Sequence, residues 1–156
     1  MIGRWIAHMD ALRRARGLRW GQVRLVHWWA HETSTFESAY NSARVRHGNP
    51  DWPTLTWFDF LTCVLRAAPV TVRGAFDFSL KSLAKAMHAA GLIATTWGDG
   101  PVDGMGAMVG AWWCDAEAAR TDGSMRDFEL MHEIERYNEV DCRVMAELVA
   151  WLRVNR

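Results

Sequence analysis

Tyr137 and Asp141 stand four residues apart in RYNEVDCRVMAELVAWLR, residues 136–153. At about 100° per residue in a helix, Tyr137, Val144, Leu148, Trp151 and Leu152 share one stripe, and Asp141 falls in its middle. Apolar neighbours would take that carboxylate out of water, which is costly unless something pairs with it. Two kinds of partner answer the need. A divalent ion bound to Asp141, with the Tyr137 hydroxyl one turn away to orient a water, is the equipment of phosphodiester hydrolysis. The plainer alternative is a carboxylate at the rim of the core, hydrogen-bonded to Tyr137 or to a backbone amide. An i, i+4 pair alone does not separate them.

A second group of chemically capable residues lies in LVHWWAHE, residues 25–32. His27, His31 and Glu32 give HxxxHE, which differs from the HExxH zinc signature and offers no helix for its first histidine. Glu32 suits the first turn of a helix, where an acid is favourable. Asp59 in TWFDF has the character of a helix cap or loop anchor. Lys81 and Lys85 offer charge to a phosphate backbone, a role that lysines on a polar helix face seldom have.

The elements that must position these residues are mostly helices. Ile2, Trp5, Ile6, Met9 and Leu12 recur at helical spacing over residues 2–16, with Gly17 as a stop. QVRLVHW, residues 22–28, alternates as a short strand. A helix follows from Glu32 or Ser34 to Arg46, ended by HGNPDWP. TLTWFDFLTCVLRAAPVTV reads either as a strand at 54–58 running into a helix or as one buried helix. SLKSLAKAMHAAGL is a helix capped by Ser79 and closed by Gly91, with Leu80, Leu83, Ala84 and Met87 on its apolar side. The glycine-rich stretch from Ile93 to Gly106 is a loop and the hinge between two helical sections. AMVGAWWCDAEAAR is a helix, TDGS a break, and the remainder one or two closing helices. A lone confident strand has no partner for its backbone groups.

Composition narrows the setting. At 156 residues the length fits one domain of residues 1–156. Basic and acidic residues both number 18, so no uniformly basic surface announces nucleic acid, and any such surface must be local. Cys63, Cys114 and Cys142 show no CxxC spacing and fit reduced thiols, small core residues of a cytoplasmic protein. No apolar run is long enough to span a membrane, and the charged N-terminus differs from a signal peptide. The 10 tryptophans, including the pairs Trp28–Trp29 and Trp112–Trp113, suit core filling more than base stacking.

RYNEVDCRVMAELVAWLR resembles the last motif of the DEDDy 3'-5' exonucleases, which have an RNase H-like fold and carry a Tyr and an Asp four apart on a helix. FSLKSLAKAMHAAGL, and the YN..DC pattern running to WLR, are similar to RNase H-like exonuclease domains of the YprB type. So is LVHWWAHE, a strand end with an acid five residues after His27; relatives commonly have Asn and Asp at those two places. The likeness covers about residues 20–155. It implies an α/β chain in which Asp141 and Glu32 are metal ligands, Tyr137 joins them as a catalytic residue, and the cofactor is a pair of Mg2+ or Mn2+ ions. The implied substrate is a single-stranded nucleic-acid end.

The family also begins with a strand bearing Asp-x-Glu, which supplies half of the ligands, and nothing before QVRLVHW resembles it. Residues 1–156 therefore look like the C-terminal two-thirds of an RNase H-like domain, predominantly helical, with one or two short strands and an incomplete two-ion site. The expected function is part of a metal-dependent 3'-5' exonuclease, inactive alone or dependent on a missing segment that a second polypeptide would supply. The alternative is a non-catalytic helical interaction module that binds a protein through its strand edge and Trp-rich surface.

Overall fold

The computed structural model describes residues 2–48, 50–68, 70–98 and 104–155. It is mostly helical with a small parallel sheet, an α/β composition, and divides into two compact units, Met1–Thr71 and Val72–Arg156. The division falls upstream of the glycine-rich stretch expected to be a hinge, of which residues 99–103 lie outside those described.

The first unit opens with α1 (Ile2–Ala15). It ends as its sequence predicts: Gly17 has φ +65°, and the amides of Gly17 and Leu18 turn back to the carbonyls of Arg14 and Arg13. That paired closure needs a left-handed residue, which glycine adopts without strain. After a short turn at Trp20–Gln22 comes strand β1 (Leu25–His27), then α2 (Ala30–Arg46), then β2 (Trp57–Asp59) and one π-helical turn, Leu61–Arg66. β1 and β2 are parallel, with Leu25 opposite Trp57, Val26 opposite Phe58 and His27 opposite Asp59. The expected lone strand thus has a partner within the chain along one of its two edges. It is also shorter than 22–28, because Gln22 closes the preceding turn. The ambiguous segment after Thr54 resolves as a strand followed by a helical turn. Around α2 the rings of Trp5, Phe36, Tyr40, Trp52 and Trp57 meet edge-on, tilted or, for Phe36 and Tyr40, stacked, and Tyr40 donates its hydroxyl to the Pro53 carbonyl at 2.7 Å.

The second unit holds α3 (Leu80–Ala89), α4 (Gly104–Thr121), a short turn at Met125–Asp127 and the long α5 (Glu129–Asn155). Ser79 caps α3, its hydroxyl accepting the Ser82 amide at 3.1 Å, and Gly91 ends it at φ +69°. Leu83, Ala84 and Met87 of α3, Cys114 of α4, and Ile134, Val144, Leu148 and Leu152 of α5 are buried. Of the three cysteines only Cys114 is a core residue; Cys63 and Cys142 are exposed. The tryptophan pairs also divide: Trp28 is buried, whereas Trp29, Trp112 and Trp113 are exposed. Core filling therefore accounts for only part of the tryptophan content.

α4 meets α5 through small residues, and Gly110 marks the closest approach. A Cβ there would stand 3.2 Å from both Ile134 Cδ1 and Leu130 Cδ2. Gly110→Val is predicted to destabilise the protein by about 1–3 kcal/mol, because the added methyls must displace a packed helix face. A urea melt checks this, and an unchanged midpoint would show that the two helices are less closely packed than described.

Candidate active site

α5 places Tyr137 and Asp141 one turn apart, because four residues advance a helix by slightly more than a full turn. Val144, Leu148 and Leu152 along the same stripe are buried, but Tyr137, Asp141 and Trp151 are only half-buried. Asp141 thus lies at the margin of the core rather than sunk within it. The segment after α3 lies against it, and Trp97 Nε1–H donates to Asp141 Oδ1 at 2.8 Å. An indole N–H can only donate, so it supplies the kind of partner that a half-buried carboxylate requires.

Trp97 is held in place by Glu147, further along α5. Glu147 Oε2 accepts the amides of Ala94 at 2.7 Å and Thr95 at 3.0 Å, while Oε1 accepts the Thr95 hydroxyl. The Thr95 hydroxyl, then its amide, and then the Ala94 amide hold the Glu147 carboxyl below the ordinary glutamate range, against the opposing effect of burial. The Lys81 ammonium, near the start of α3, completes the cluster. Its Nζ lies 4.8 Å from the centroid of the Tyr137 ring and 5.8 Å from that of Trp97. Both distances are in the range of cation–π attraction.

The other residues singled out in the sequence belong to the first unit. Glu32 lies in the first turn of α2, exposed, and its Oε2 accepts the Trp28 amide at 3.1 Å. It thereby acts as an acid that reaches back over the helix start and accepts a backbone amide, the part that first-turn acids commonly play. His27 is buried, with Nδ1 at 3.1 Å from the Trp29 carbonyl. A carbonyl only accepts, so Nδ1 carries the proton. The His31 side chain lies outside those described. Asp59 is an anchor, its Oδ1 accepting the Thr62 amide at 2.8 Å. Burial would raise the Asp59 carboxyl, but the Thr62 hydrogen bonds and the Arg66 charge outweigh it and hold it below the usual range.

Among the described residues no three His, Cys, Asp or Glu side chains gather as a group that could hold a metal ion. Asp141 and Glu32 are parts of two different units; the Trp97 indole donates to Asp141, and the Lys81 ammonium lies against the same indole. The residues present do not by themselves fit the two-ion cage. Sequence reasoning missed Trp97 and Glu147. A tryptophan beside Gly98 was the one local signal for the first, and nothing local marked the second. No helix among the described residues is long and apolar enough to cross a membrane. No protein-family model matches the chain, and neither a curated protein nor a solved structure matches it.

The Glu147 clamp makes a pH prediction. Because its folded pKa lies below the ordinary value of 4.5, ionised Glu147 contributes its full stability above that value. The contribution is lost as pH falls through the lowered folded value. Glu147→Gln should therefore cost stability at neutral pH, and the gap from wild type should shrink as the pH falls below about 4.5. Thermal melts across this range check it. A gap that stayed constant with pH would remove the clamp's ionic character.

Proposed function

We propose that the chain is part of a metal-dependent 3'-5' exonuclease acting on a single-stranded nucleic-acid end, built on an RNase H-like framework. The observation that carries the reading is the placement of Tyr137 and Asp141 one turn apart on α5, on a half-buried surface closed by Trp97 and Lys81. The β1–α2–β2 unit, two parallel strands joined through a helix, is consistent with that framework. In this reading Asp141 would hold Mg2+ or Mn2+, whose chemistry would be to activate a water, and the Tyr137 hydroxyl would orient that water. Glu32 is the second acid that the resemblance proposes; in the structure it holds the Trp28 amide. Two acids fall short of the several oxygen ligands that each ion takes. The remaining ligands are therefore assigned to a strand bearing Asp-x-Glu, from a further segment or a second polypeptide.

A second reading, a non-catalytic interaction module, has an observation of its own. Met105, Met108, Val109 and Trp112 recur on one side of α4 at spacings of three and four, and all are exposed. Large apolar residues left in water along a helix face suit contact with another protein.

The assay that separates the readings is digestion of end-labelled single-stranded DNA and RNA with Mn2+. The expected outcome is no cleavage by residues 1–156 alone, and cleavage once a segment carrying the Asp-x-Glu strand is added. Asp141→Ala should abolish that restored activity. Asp141→Asn should fold, and should lose any thermal stabilisation by Mn2+ that the wild type shows. No activity in the completed complex would decide for the interaction module. Equal Mn2+ stabilisation of wild type and Asp141→Asn would remove Asp141 as a ligand.

A further inference from the structure

Lys81 is placed where its charge meets ring faces and a helix start. It is the second residue of α3, after the Ser79 cap, so its ammonium sits near the positive end of the helix dipole. Among the described residues it has no carboxylate partner. Instead two ring faces wall it in, at 4.8 Å for Tyr137 and 5.8 Å for Trp97. These rings fix where the ammonium lies without neutralising it. They also belong to the residues that define the candidate site: Tyr137 precedes Asp141 by one turn, and Trp97 donates to Asp141.

The choice of lysine adds a second argument. The chain has 18 basic residues, and Lys81 and Lys85 are its two lysines; every other one is arginine. An ammonium is a compact point charge with three rotatable donors, suited to a space between two rings and to a single phosphoryl oxygen. A guanidinium is planar and would stack on either ring, which turns its donors away from an oxygen above the gap.

We propose that Lys81 is a phosphate anchor, its ammonium held between Trp97 and Tyr137 to take a phosphoryl oxygen of a nucleotide whose phosphodiester faces Asp141. This deepens the exonuclease reading and rests on it for the placement of the phosphodiester. The phosphate contact itself does not require hydrolysis.

With two lysines, the protein suits reductive methylation with 13C-formaldehyde. The methylated lysines keep their charge and give two resonances besides that of the N-terminus. The Lys81 signal is expected upfield of the Lys85 signal, shifted by the two rings. On titration with thymidine 5'-monophosphate it should move while Lys85 stays in place, and thymidine without phosphate should move neither. Lys81→Met should weaken binding of a fluorescein-labelled ten-residue oligothymidylate about tenfold, the scale of one charge-assisted contact, while Lys85→Met changes it less than twofold. A Lys81 signal that ignores the nucleotide, or two lysine signals that move together as plain ionic screening would make them, overturns the proposal. A selective response from Lys81 with no cleavage by the completed complex keeps the phosphate anchor and discards the nuclease.

Discussion

The second unit depends on one carboxylate. Glu147 gathers two backbone amides and one hydroxyl from consecutive residues, Ala94 and Thr95, and so ties the segment after α3 to α5. Charge-assisted hydrogen bonds of this kind are short and directional, and three on one side chain leave the segment little freedom. Trp97 follows two residues later. Its ring therefore reaches Asp141 with the N–H and Lys81 with the face. Without the clamp, Asp141 would lose the indole and Lys81 would lose one of its two walls.

What the sequence made legible was governed by local rules. Gly17 and Gly91 close helices because a left-handed residue is needed there, and Ser79 starts one because its hydroxyl meets an unpaired amide. Tyr137 and Asp141 on one helix face follow from spacing alone. The rest depended on partners distant in the chain. The amides that Glu147 holds are 53 and 52 residues away, and the indole on Asp141 is 44 away. The strand expected to stand alone pairs with Trp57–Asp59, which lies in a segment whose apolar run fits strand or helix equally. Glu32 shows the limit from the other side: an acid in the first turn of a helix looks the same in sequence whether it serves the helix or a metal.

Net neutrality conceals an uneven distribution of charge. Residues 1–71 carry nine arginines against five acids, and residues 72–156 carry nine basic residues against thirteen acids. A polyanion is therefore attracted by the first unit and repelled by most of the second. Within that acidic unit, the Lys81 ammonium against the Trp97 and Tyr137 rings is a local exception to the field around it. Any affinity for nucleic acid should weaken as salt is added, in proportion to the number of phosphates engaged.

The two-stranded sheet also sets an entropic demand on the first unit. Leu25 and Trp57 are direct partners yet lie thirty-two residues apart. A parallel pair cannot be zipped from a tight turn, so the intervening chain must be closed before the first ladder bond forms. Three residue pairs return little for that loss of freedom. α2 shortens the intervening chain as it forms, and its ring contacts from Phe36 to Trp57 and Trp5 hold the strand ends near one another. Helix formation and aromatic docking therefore lower the closure cost that three residue pairs would otherwise have to meet alone.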